Sequence, residues 1–224
     1  MYKRQAKLDG KAQEELLAGV KVSFTEEDNI MLDSAISNAE IKQSLTKANQ
    51  KASPGADGIP YSFYLSFWPD IGTHLCDIVR HIYEEGPPTP SMSTSHMVFS
   101  AKPGKQSSQK PKDKRKLSML AADYKVLTGV IAARLRKTEN HTLSSRQFSA
   151  SNKKVAHAIN QFRDMIDNVS AKDKGISVAE TDFQAAFDLI AVQWVWKVLQ
   201  AKGCSTGFIA KMVRIYESTN YCLL

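Results

Sequence analysis

The sequence predicts an α+β fold that is predominantly helical, and three observations predict it. Apolar residues recur at helical spacing along most of the chain, most cleanly at Ile71, Leu75, Ile78, Val79, Ile82 and Tyr83. Two short apolar stretches, 97–99 and 116–120, flank a polar and basic segment, as the arms of a hairpin do. Residues 176–182 alternate apolar and polar, which is the period of a strand, and end in a carboxylate. With 224 residues there is room for one large domain or two small ones.

Taken in order, residues 1–36 are weakly patterned. Leu16, Leu17 and Val20 line a short helix, Thr25-Glu26-Glu27-Asp28 reads as a helix start, and the segment is expected to pack peripherally or to remain partly mobile. Ser37-Asn38-Ala39-Glu40 is a capping box, and Ile41, Leu45 and Ala48 continue one helical face over 38–50. The next eight residues, Ser53-Pro54-Gly55-Ala56-Asp57-Gly58-Ile59-Pro60, demand a tightly folded loop. That loop opens onto an aromatic-rich helix, 61–68, whose Phe63, Tyr64, Phe67 and Trp68 suit a core better than a base-stacking platform. The cleanest amphipathic helix, 70–85, stops at Gly86-Pro87-Pro88. After the hairpin come a helix over 122–137, a long helix from Val155 to Val169, and two more around Val192–Leu199 and Ile209–Tyr216. Tyr221-Cys222-Leu223-Leu224 reads as the start of another strand.

Composition narrows the function. An apolar fraction of 42% and a charged fraction of 24% are those of a soluble globular protein. Cys76, Cys204 and Cys222 are too few and too scattered for a disulfide framework or a zinc module, and they read as reduced thiols of an intracellular protein. No signal peptide and no membrane span are legible. The net charge of +7 is concentrated: residues 101–137 hold eleven cations against Asp113 and Asp123, a local +9 that leaves −2 for the rest. Such a segment suggests a polyanion partner, nucleic acid or nucleotide phosphates; the competing reading is a solvated basic loop. Asp182 is open to two readings in the same way: a metal ligand held at a strand end, or a cap of the following helix.

The order of these signals resembles the reverse transcriptases of non-LTR (LINE-type) retrotransposons. The resemblance rests on the Ser53–Pro60 loop with Phe63-Tyr64 and Phe67-Trp68; on Ala101-Lys102-Pro103-Gly104-Lys105; on Arg115-Lys116-Leu117-Ser118-Met119-Leu120; on Asp123-Tyr124-Lys125-Val126-Leu127 with Ala133-Arg134-Leu135; and on Asp182-Phe183-Gln184-Ala185-Ala186-Phe187-Asp188. The resemblance implies a right-hand polymerase in incomplete form. Residues 37–175 would be the fingers and 176–224 the beginning of the palm, with 1–36 a peripheral N-terminal segment. It implies RNA template, DNA primer and dNTP as partners, no membrane, and a cytoplasmic and nuclear ribonucleoprotein setting. Nucleotidyl transfer in the family uses Mg²⁺ (or Mn²⁺) ions. By the same resemblance Asp182 would bind metal with the Phe183 carbonyl, and Lys102 and Arg115 would reach the triphosphate. Phe187 would lie under the incoming sugar, although a core aromatic would show the same spacing. Lys105, Lys110, Lys112, Lys114 and Lys116 would contact nucleic acid.

The chain also departs from the family pattern. Lys116-Leu117 stands where a Pro-Ile pair is expected, Gln147-Phe148-Ser149-Ala150 lacks a glycine, and Lys154 replaces an arginine. No Asp-Asp pair occurs anywhere, and Asp188 belongs to the same segment as Asp182. A two-metal site needs carboxylates converging from different strands. The expectation is therefore a partial reverse transcriptase domain that does not polymerise alone. A non-catalytic nucleic-acid-binding module built on 101–137 is the alternative, and a decayed copy with an uncovered palm surface is a third reading.

Overall fold

The computed structural model describes residues 10–144, 147, 155–170, 177–182 and 190–223, apart from the side chains of Lys112, Ser170, Tyr221 and Leu223. They fall into two units, one drawn from Met1–Asp28 and Arg136–Cys204, the other from Asn29–Leu135 and Ser205–Leu224. These units cut across the boundaries at 36/37 and 175/176 that motif order suggests.

In the second unit the capping box at Ser37 forms as expected. Glu40 Oε2 accepts from Ser37 N at 2.9 Å, Ser37 Oγ accepts from Glu40 N at 3.3 Å, and the Asn38–Lys47 helix follows. Ile41 and Leu45 of that helix are fully buried with Val79, Ile82 and Tyr83 of the Trp68–Glu84 helix, Leu127 of Ala122–Thr142, and Phe208 of Thr206–Glu217. Two glycines permit close crossings. A Cβ on Gly129 would lie 2.4 Å from Ser44 Oγ, the hydroxyl that donates to the Val126 carbonyl at 2.9 Å. A Cβ on Gly55 would lie 2.5 Å from the Ala121 nitrogen, so the Ser53–Pro60 loop is docked on the entry to the Ala122–Thr142 helix.

Among the described residues the sheet has three strands in the order β2-β1-β3: β1 is Thr94–Ala101, β2 Lys114–Met119 and β3 Asn220–Leu223. The expected hairpin is present, with β1 and β2 antiparallel and Val98 opposite Leu117. The expected last strand is present too, running parallel to β1. Its approach is anchored by Tyr124 Oη, which is 2.9 Å from Thr219 Oγ1 and donates to the Ile215 carbonyl at 3.3 Å.

Three expectations in this unit need correction. Residues 29–36 do not pack peripherally: Leu32 and Ile36 are buried, because long-range donors take up the backbone carbonyls around them. The Tyr83 hydroxyl donates to the Leu32 carbonyl, and the Arg134 guanidinium donates to Ser34 O at 2.6 Å and Ala35 O at 3.0 Å. Arg134, in turn, does not add to the open positive charge expected of 101–137. Its helix runs on to Thr142, and the buried guanidinium meets Glu40 at 2.7 Å and 3.0 Å. Finally, the aromatic residues of 61–68 divide. Tyr61 and Tyr64 are core, whereas Phe63 and Phe67 are exposed and pack on each other with centroids 4.9 Å apart. A six-residue helix, Tyr61–Ser66, has one face to bury, and the i, i+4 pair lies off it.

The first unit holds the helices Gly10–Ala18, Val155–Ser170 and Val192–Ala201. Its polar contacts are specific. The amides of Ser23 and Phe24 donate to Lys202 O at 2.9 Å and 3.0 Å, and Phe24 is buried. Thr25 and Asp28 cap reciprocally at 2.8 Å and 3.1 Å, confirming the helix start read there, and His141 Nε2 lies 2.6 Å from Asp28 Oδ2. Burial would raise the Asp28 pKa, but the Thr25 hydrogen bonds and His141 outweigh it and hold the carboxyl below its ordinary value. The apolar stripe of Val155–Ser170 is exposed at Val155, Ile159, Phe162 and Met165. The strand expected at 176–182 is not one over its described part. Residues 177–182 are exposed and enter no ladder, since none of the described strands pairs with them. No described helix is long and apolar enough to cross a membrane.

Candidate nucleic-acid interface

Most of the cations singled out from sequence lie on the β1–β2 hairpin, and the strand pleat sorts them. In an antiparallel pair directly opposed residues share a face, and successive residues alternate between faces. Ser100 is opposite Arg115, and Lys102 N donates to Asp113 O at 2.9 Å, which carries the ladder one step past Ala101. Lys102 therefore follows Ser100 on the face of Arg115, as a diagonal neighbour. The other face carries Phe99 opposite Lys116 and Ala101 opposite Lys114. Lys102, Arg115 and Lys116 are exposed, and Lys114 is half-buried. The two residues expected at a triphosphate thus share one face, and two of those expected on nucleic acid share the other.

The connecting loop is tied down despite its polar composition. Lys105 N donates to Lys102 O at 2.9 Å through a turn in which Gly104 takes a φ of +72°, and Ser108 N donates to Lys105 O at 3.1 Å. A single 3-10 turn, Pro111–Asp113, returns the chain to β2. Ser108 Oγ donates to Asp113 Oδ2 at 2.5 Å, so the sole acid of the hairpin is engaged within the loop. Lys105 and Lys110 are exposed at the tip; the Lys112 side chain lies outside what is described. Arg134, by contrast, is removed from the free positive charge of 101–137 by its pairing with Glu40.

Glu40 and Arg134 illustrate a role that sequence reasoning misses. Hydrogen bonding from Arg134, opposed by burial and helped by Ser37, lowers the Glu40 pKa to about 2. The Arg134 guanidinium also sits over the Tyr83 ring, 5.6 Å from its centroid. The capping box marks Glu40 as a local residue, and nothing in the sequence pairs it with a position 94 residues away.

Asp182 belongs to the other unit, where it is exposed in the stretch 177–182. Phe183, Phe187 and Asp188 lie outside the described residues. Among the described residues no three His, Cys, Asp or Glu side chains come together as a metal would require. Asp123, half-buried at the start of the Ala122–Thr142 helix, has its pKa raised chiefly by burial, with the Asp57 charge adding to the shift.

With this geometry in view, similarity to known proteins is specific. Residues 101–222, more than half of the chain, match the family "Reverse transcriptase (RNA-dependent DNA polymerase)". A Xenopus laevis protein, "Transposon TX1 uncharacterized 149 kDa protein", is 26% identical over 216 residues, which is 95% of this chain and 16% of the relative. The chain thus spans about one-sixth of that relative's length. The connecting loop and β2 of the hairpin that sorts the cations lie within the matched region. The chain belongs to the reverse transcriptase family, in its non-LTR (LINE-type) retrotransposon branch.

Proposed function

We propose that this chain supplies the nucleotide-binding fingers and first palm segment of an RNA-directed DNA polymerase, and that residues 1–224 alone do not polymerise. The observation that carries the reading is the placement of Lys102 and Arg115 on one face of the hairpin. A planar guanidinium and an ammonium in diagonal positions suit the oxygens of a dNTP triphosphate. RNA template and DNA primer are the polymer partners, in a ribonucleoprotein that passes through cytoplasm and nucleus. Asp182 is the carboxylate this chain would contribute to a metal site, and the absence of an Asp-Asp pair from the sequence argues against a complete one. Primer extension by residues 1–224 with Mg²⁺ or Mn²⁺ tests the claim. No extension is expected; extension that Asp182→Ala abolishes would overturn it.

A second reading, a binding module without catalysis, is favoured by the hairpin's charge, seven cations against one acid between Phe99 and Met119. It expects RNA or DNA affinity that falls steeply with salt and weakens when Lys112, Lys114 and Arg115 are neutralised. Binding indifferent to both changes would remove it.

A further inference from the structure

We propose that Met119, His96 and Cys222 form a binding site for a soft monovalent cation, Cu(I), across the three-stranded sheet. The registers of the two ladders bring these residues into one row. His96 of β1 is opposite Met119 of β2 on one side and opposite Cys222 of β3 on the other. Laterally paired residues share a face, and neighbouring strands lie about 4.8 Å apart, so a thioether, an imidazole and a thiol stand side by side. An ion can reach this row from solvent, because His96 and Met119 are half-buried and Cys222 is exposed. Cys76 and Cys204, by contrast, are 1% and 4% exposed, which leaves Cys222 as the accessible thiol of the three.

The donor set selects the ion. Mg²⁺ and Ca²⁺ ask for oxygen ligands, and structural Zn²⁺ asks for four donors drawn from thiolate, imidazole and carboxylate. None of the three strands carries a carboxylate. With a methionine sulfur as its third donor, the row lies outside the groupings of His, Cys, Asp and Glu that hold harder ions. Two sulfurs and one nitrogen suit Cu(I), a soft ion that is satisfied by few ligands. Charge points the same way. Binding breaks the S–H bond of Cys222, releases its proton to solvent and forms the S–Cu bond, so thiolate and ion cancel. A divalent ion would leave a net positive charge on the face that carries Arg115 and Lys102 further toward the tip. Lys102 is six residues beyond His96, about 20 Å along the strand, so the ion would sit apart from that pair. The next row toward the tip, Val98 opposite Leu117, is apolar and gives the ion a hydrophobic edge. An ion held by all three donors staples β3 to both strands of the hairpin.

The test titrates the full chain with Cu(I) under anaerobic, reducing conditions against a chromogenic Cu(I) chelator, with Zn²⁺ as the comparison ion. One Cu(I) per chain is expected, and Zn²⁺ is expected to bind far more weakly. Cys222→Ser should abolish the stoichiometric binding, and His96→Gln should weaken it by at least about 100-fold. Met119→Leu keeps the side-chain volume and should weaken it about 10-fold. Added Cu(I) should protect Cys222 from brief alkylation, read by mass spectrometry. It should also raise the melting midpoint of the unaltered chain and leave that of Cys222→Ser where it was. A metal-free melt like that of the unaltered chain confirms that each variant folds. Four results would each overturn the site: no Cu(I) bound by the unaltered chain, binding that survives Cys222→Ser, binding indifferent to both His96→Gln and Met119→Leu, or Zn²⁺ held as tightly as Cu(I).

Discussion

Two helices with the same amphipathic signature end in opposite circumstances. Trp68–Glu84 carries Leu75, Val79, Ile82 and Tyr83 into the core of its unit, with Val79 and Tyr83 fully buried. Val155–Ser170 carries Val155, Ile159, Phe162 and Met165 at similar spacing, and all four are exposed. Periodicity determines that a helix has an apolar face; it does not determine that anything covers it. The stability of the Asn29–Leu135 and Ser205–Leu224 unit should therefore depend on individual side chains, and the stripe on Val155–Ser170 should be nearly neutral to substitution.

Four measurements break or sharpen that contrast, in descending order of effect. Phe208 is fully buried, and Phe208→Ala should cost about 4 kcal/mol in urea unfolding, whereas Phe162→Ala should cost well under 1 kcal/mol. Equal costs would dissolve the contrast. Next, Glu40→Ala should cost about 3 kcal/mol, because it leaves the buried Arg134 guanidinium without its counter-charge. The same pair sets an acid limb. Glu40 titrates at about 2 in the folded chain against an ordinary 4.5, so its contribution is complete above the ordinary value and disappears as pH falls toward 2. In Glu40→Gln that part of the acid loss should be missing from a pH series of unfolding midpoints.

Gly55→Ala comes third, at about 2 kcal/mol, since its methyl group meets backbone at Ala121 and no side chain can swing aside. A neutral result would mean that the Ser53–Pro60 loop is not docked as described. The smallest effect is expected on the uncovered stripe: Ile159→Lys with Phe162→Gln should change the unfolding midpoint by no more than about 0.5 kcal/mol, yet reduce hydrophobic-dye fluorescence. A large loss of stability there would show that the stripe is a core face after all.

Much of this architecture was legible beforehand. The capping box, the hairpin, the last strand and the long helices all follow from local pattern, because caps, turns and periodicity act within a few residues. The family was legible for the same reason, through loop and hairpin residues in a given order. The site was legible only in part. Lys102 and Arg115 could be named from their motifs, but their common face comes from the register of β1 against β2. Asp182 could be named too, while the strand expected to carry it needs a partner strand that no local pattern supplies.

What the sequence determined by itself is the set of local elements, the concentration of positive charge in 101–137, and the lack of an Asp-Asp pair. Those are properties of composition and short-range spacing. Tertiary structure alone decided that Arg134 is spent on Glu40 and not on a partner, that Leu32 and Ile36 are core, and that Tyr64 is buried while Phe63 is not. It also decided which face of the hairpin each cation takes. Each of these depends on which distant surfaces meet, and burial, not residue type, turns a charged or aromatic side chain into a structural or a binding one.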